Sequence, residues 1–158
     1  MANYCCKIRT NYFSVTDEAK FREIMAACKG AEDTVHTFDN NKEGGGKKFG
    51  FYCCGSINGL PYKLVDDEPV VTFVEDEAEE DLDCDISGDL FYEALQNILP
   101  DGEAIIVTEI GSEKYCYLRG ICLVITNNDI KYADLSREAL ELARKMLNNP
   151  DFTTENDY

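Results

Sequence analysis

The chain has 158 residues, 44% of them apolar and 11% aromatic, which suits one packed domain and excludes both a wholly disordered polymer and two large domains. Its formal charge of −16 opposes direct contact with nucleic acid or with an anionic membrane surface. No run of about 18 apolar residues is present, and Met1 to Lys7 lacks the basic flank and apolar stretch of a secretory leader, so a single soluble domain over residues 1–158 is expected.

Tyr4 to Val15 is rich in Tyr, Ile, Thr, Phe and Val and reads as a strand. Thr16 is expected to cap a helix whose first turn holds Asp17 and Glu18 and whose Phe21, Ile24, Met25 and Cys28 share one face until Gly30 stops it. Thr34 to Phe38 predicts a short strand, Asp39 to Gly46 a turn, and Lys47 to Ile57 a returning strand, giving a β-α-β-β unit over residues 4–57. A second unit, residues 87–126, opens with Ser87 as the cap of a helix from Asp89 to Leu99. Leu90, Phe91, Ala94, Leu95 and Ile98 fall on one face of that helix, and Pro100 ends it. Glu103 to Ile110 then reads as a strand, Gly111-Ser112 as a turn, and Lys114 to Thr126 as a long strand. Phe21-x-Glu23 parallels Phe91-x-Glu93, and Lys48 to Tyr52 parallels Lys114 to Leu118; a duplication and a chance likeness of two amphipathic units both fit so short a match.

The last helix, residues 134–148, starts at Asp134 or Ser136 and lines one side with Leu135, Ala139, Leu142, Ala143, Met146 and Leu147. Arg144 and Lys145 sit in its final turn, where they suit the macrodipole, and Asn148-Asn149-Pro150 closes it. Burying these faces calls for an α+β fold, a mostly antiparallel sheet with helices packed on one face, built on a ferredoxin-like β-α-β-β-α-β core with additions and a C-terminal helix.

The charge is unevenly spread. From Leu64 to Glu113 there are 17 acidic residues and no Lys or Arg, whereas the other 108 residues hold 14 acids against 15 bases. The acidic insert at 64–89 concentrates 12 carboxylates into the 24 residues from Asp66 to Asp89. They are Asp66, Asp67, Glu68, Glu75, Asp76, Glu77, Glu79, Glu80, Asp81, Asp83, Asp85 and Asp89, and they form the candidate partner-binding surface. Apolar residues, Val70 to Val74 and Leu90-Phe91, flank them as anchors that a disordered tail would not need. Carboxylates at alternate strand positions recur every 7 Å or so on one face, while duplex DNA carries one charge per about 1.7 Å of axis. An ordered acidic face of this kind can compete with nucleic acid for a basic groove. One rim ion pair is worth only about 0 to 1 kcal/mol, so many must act together with aromatic anchors. Phe73, Tyr62, Tyr92, Tyr115 and Tyr117 are the candidates, although core or sheet packing is their plainer role. A solvated acidic loop is the competing meaning of such a run.

Other chemistry finds little support. Cys5-Cys6 and Cys53-Cys54 are adjacent pairs and Cys28, Cys84, Cys116 and Cys122 stand alone, with no C-x-x-C motif, so reduced thiols are expected, one of each strand pair buried and one facing out. His36, the single histidine, lies in a strand pattern that makes it a half-exposed surface residue. Gly44-Gly45-Gly46-Lys47-Lys48 fails the phosphate-loop spacing, because Asn41 replaces the first glycine and Lys48 the hydroxyl residue, and it joins two strands. Asp81-x-Asp83-x-Asp85 fails as a calcium loop, with Ile86 in place of the glycine and Tyr92 in place of the bidentate glutamate. No catalytic residue, metal or cofactor is assigned.

Met1 to Val15 and Asn148 to Tyr158, with the helix-strand-strand units between them, resemble a group of small uncharacterised proteins of phages and conjugative elements of Gram-positive bacteria; the acidic middle departs from that group's pattern. The resemblance implies a setting in which acidic proteins disarm host nucleases, similar in strategy to anti-CRISPR and anti-restriction inhibitors. The expected function is accordingly a non-enzymatic DNA mimic in the bacterial cytoplasm, partnered by a basic surface of a CRISPR effector or restriction complex. The alternative is a mobile-element binding module that self-assembles, with acids that only solubilise it; a homodimer is open under either.

Overall fold

A computed structural model describes residues 4–41, 46–73, 84–113 and 117–153. In chain order the elements are β1 (Tyr4–Thr10), α1 (Glu18–Ala27), β2 (Lys29–Gly30), β3 (His36–Asn41), β4 (Lys47–Cys54), β5 (Ile57–Val65), β6 (Glu68–Val71) and β7 (Asp85–Ser87). There follow α2 (Gly88–Gln96), β8 (Ala104–Glu113), β9 (Tyr117–Thr126), β10 (Ile130–Asp134) and α3 (Leu135–Leu147). The fold is α+β. One antiparallel sheet holds six strands in the order β10-β9-β8-β1-β4-β3, and a second holds β2-β5-β6 with β7 also paired to β5.

Alternation along the strands decides the inner face. Cys6 and Ile8 of β1, Phe49, Phe51 and Cys53 of β4, Ile105 and Val107 of β8, and Leu123 and Ile125 of β9 are buried, and the residues between them point the other way. Phe21, Ile24 and Met25 of α1 and Phe91 and Leu95 of α2 close over that face. Edge-on aromatic contacts join the layers, with Phe13 5.7 Å from Phe21 and Phe51 5.6 Å from Phe91 between ring centroids. Among the described residues Thr10 is the buried polar residue of this core, and its hydroxyl accepts from the Phe51 amide at 3.0 Å.

Several boundaries differ from the sequence expectation, each for a physical reason. The first strand stops at Thr10, and Phe13 keeps only an isolated bridge to Phe49. Asp17, not Thr16, caps α1, accepting from the Lys20 amide at 2.9 Å, because the Thr16 hydroxyl donates instead to the carbonyl of Ile98. The expected strand from Lys47 to Ile57 is two strands in different sheets, broken at Gly55, where φ is +101°. Gly111-Ser112 is not a turn: β8 runs through it because both residues pair with β1, opposite Cys6 and Cys5. The hairpin partner β10 was not expected, although Asn127-Asn128-Asp129 carried its turn signal; the Thr126 hydroxyl accepts from the Asp129 amide at 3.1 Å.

The helices are also not all on one face. Gly120 of β9 lies on the outer side of the sheet, and a Cβ there would meet the side chain of Leu135 at 3.1–3.2 Å, so α3 begins against the outer face, opposite α1 and α2. None of its residues is buried, contrary to the expectation that its apolar side is covered. Among the described residues no helix is long and apolar enough to cross a membrane.

Candidate partner-binding surfaces

The five described acidic candidates lie in the turn, strands and helix that adjoin β5. Val65 pairs with Glu68, which leaves Asp66 and Asp67 as a two-residue hairpin loop. Their φ values are +53° and +65°, the sign that a type I′ turn demands at both positions and that aspartate tolerates better than most residues. Asp66, Asp67 and Glu68 are therefore held at the tip of a regular hairpin and exposed. Asp85 of β7 stands opposite Tyr62, three residues back along β5 from Val65 and so about 10 Å from the tip. Asp89 sits in the first turn of α2, where its charge suits the helix terminus, and borders a hollow of about 280 Å³ that Glu109 and Arg119 also line.

None of these five carboxylates takes part in an ion pair among the described residues. Six acids elsewhere pair with a lysine or arginine. Glu18 receives Lys47 at 2.6 Å and Arg22 at 2.8 Å, which hold its carboxyl below its ordinary value. Glu23 pairs with Lys20, Glu141 with Arg144 and Asp129 with Lys131. The remaining seven candidates, Glu75, Asp76, Glu77, Glu79, Glu80, Asp81 and Asp83, lie outside the described residues.

The proposed aromatic anchors divide. Phe73 packs on the core with the Lys20 ammonium 4.1 Å from its ring centre, and Tyr92 packs beside Phe91, its phenol pushed well up by burial. Both serve the interior. Tyr62 is half-buried on β5 between β6 and β7, and the side chains of Tyr115 and Tyr117 lie outside the described residues.

The adjacent cysteines behave as strand geometry requires: Cys6 and Cys53 are buried, Cys5 and Cys54 exposed. Burial, reinforced by the neighbouring Cys53, pushes the Cys28 thiol up to about 12, so it remains protonated at neutral pH. His36 is an exposed strand residue stacked on Tyr52 at 5.0 Å between ring centroids. Among the described residues no group of three or more His, Cys, Asp or Glu could hold a metal.

Two features of the outer face escaped the sequence reading. Lys7, Arg9, Ile106 and Ile110 line a groove of about 540 Å³ over β1 and β8, a cationic rim on an apolar floor. Beyond it Leu135, Leu142 and Met146 of α3 stand in solvent. Periodicity had marked that stripe, but it cannot say whether anything covers it.

Comparison with protein-family models, with curated proteins and with solved structures finds no match. What the chain binds therefore rests on its own surfaces.

Proposed function

We propose that the protein is a non-enzymatic inhibitor that occludes a basic nucleic-acid-binding surface on a bacterial defence nuclease, a CRISPR effector before a restriction complex, by setting carboxylates where DNA phosphates would lie. The observation that carries this reading is the contrast in charge pairing. Asp66, Asp67, Glu68, Asp85 and Asp89 are exposed and outside any ion pair among the described residues, in the turn, strands and helix that adjoin β5, whereas six acids elsewhere, Glu18, Glu23, Asp39, Glu103, Asp129 and Glu141, each pair with a lysine or arginine. Acids used only for solubility have no need of a type I′ turn to hold them. The seven carboxylates from Glu75 to Asp83 enter through the sequence alone, as does the setting in phages and conjugative elements, which places the protein in the cytoplasm of its bacterial host. For the fold, α1, α2 and the strands β8-β1-β4-β3 support a ferredoxin-like unit, to which β9, β10, the second sheet and α3 are additions.

The test is a pull-down from host lysate with mass spectrometry, using wild type beside a variant carrying Asp66→Asn, Asp67→Asn, Glu68→Gln, Asp85→Asn and Asp89→Asn. Asparagine keeps the left-handed backbone of the turn accessible. Wild type should retain a nuclease component and release it as salt rises, and the variant should bind at least about tenfold more weakly, the sum of several rim pairs. Equal retention by the variant rejects the acidic-face mechanism.

A further inference from the structure

Residues 135, 139, 142 and 146 of α3 are Leu, Ala, Leu and Met, the 4-3-4 spacing of an a/d seam between two helices. The helix lies against β9 and β10; Leu140 and Ala143 are half-buried, as is Arg144, whose Nε donates to the Phe152 carbonyl. The seam starts at the sheet with Leu135 and is open to solvent, with Leu135 68%, Leu142 58% and Met146 79% exposed. The apolar surface continues onto the sheet. Leu135 sits over Gly120, which pairs with Ile110 and lies two positions from Leu118 on the same face, and these two are 66% and 72% exposed. Contiguous apolar surface of this kind on a charged protein marks an interaction site.

We infer that α3 pairs antiparallel with α3 of a second copy of this chain about a twofold axis, Leu135 against Met146 and Ala139 against Leu142, with the Ile110–Leu118 edge of each sheet closing the sides. The charges choose both the occupant and the direction. Glu138 and Lys145 lie one heptad apart on one border of the seam, and neither forms an ion pair among the described residues. In the antiparallel pair Glu138 of each copy faces Lys145 of the other, twice by symmetry. A parallel pair would set Glu138 beside Ala143 and Lys145 beside Pro150, leaving both charges unmatched. The helix carries three bases against two acids, so pairing does not press the acidic block of one copy on that of the other. This interface is independent of the acidic-face function and stands or falls separately from it.

Sedimentation equilibrium of the full chain at about 50 µM should give a dimer, within the range of ordinary twofold interfaces. Leu142→Glu with Met146→Glu should give a monomer with unchanged helicity and melting of the core, since neither side chain is buried. Glu138→Lys alone and Lys145→Glu alone should each weaken the dimer on the order of tenfold, and the two together should restore it. A monomeric wild type, a dimer indifferent to the double glutamate variant, or a charge swap that fails to restore pairing overturns the proposal.

Discussion

Glu103 shows how a single carboxyl ties distant parts of the chain together. It accepts from the Ser14 amide at 3.0 Å and pairs with Lys48 at 3.2 Å, joining the segment after β1 to β4. Partial burial works against its ionisation, but the Ser14 and Lys48 contacts outweigh this, and its carboxyl lies below the ordinary 4.5. A carboxyl depressed by folding contributes stability that is fully present above its unfolded value and is lost as pH falls through the folded one. Denaturant titrations of wild type and Glu103→Gln should therefore differ most near about pH 6 and converge toward about pH 3; a gap that persists at acid pH would show that the contact works through shape and not charge. Gly59 is constrained as tightly by geometry. Its φ is +113°, and a Cβ there would overlap the carbonyl of Ser87, so only glycine lets β7 close on β5.

At the scale of elements, α3 differs from α1 and α2 in what holds it. The first two helices are fastened by Phe21, Ile24, Phe91 and Leu95 in the core, whereas α3 has no buried residue. Its local contacts therefore matter more. Asp134 accepts from the amides of Ser136 and Arg137, and Asn148 closes the other end in the left-handed conformation. Asp134→Ala should cost about 1 kcal/mol of helix stability. The loss should appear in circular dichroism as fraying of α3 while the main melting transition stays in place. A downward shift of that transition would show that α3 is coupled to the core.

Across the whole molecule, a net charge of −16 with most of the excess in residues 64–113 stores self-repulsion that exposed pairs such as Glu23–Lys20 do little to offset. Raising ionic strength from about 0.01 M to about 0.1 M shortens the screening length from about 30 Å to about 10 Å. The melting temperature should rise by a few degrees, roughly 2–4 °C per kcal/mol at this chain length. A falling melting temperature would mean that attractive pairs, and not the acidic excess, dominate the electrostatics of the fold.

Local rules carried much of the architecture. Period-two alternation put one cysteine of each adjacent pair inside and one outside, which the structure resolves as Cys6 and Cys53 inside, Ser87 and Asp134 opened helices where capping chemistry put them, and the acidic block was plain by counting. What those rules could not supply were choices between distant partners: that β1 lies between β8 and β4, that Gly55 passes the chain from one sheet to another, and that Asp85 stands opposite Tyr62. Pairing depends on which edges meet after long loops close, and no single residue carries that information. The same holds for α3, where the sequence set the apolar stripe through its spacing and only the tertiary structure left Leu142 and Met146 in water, because amphipathicity specifies a face and packing decides what, if anything, covers it.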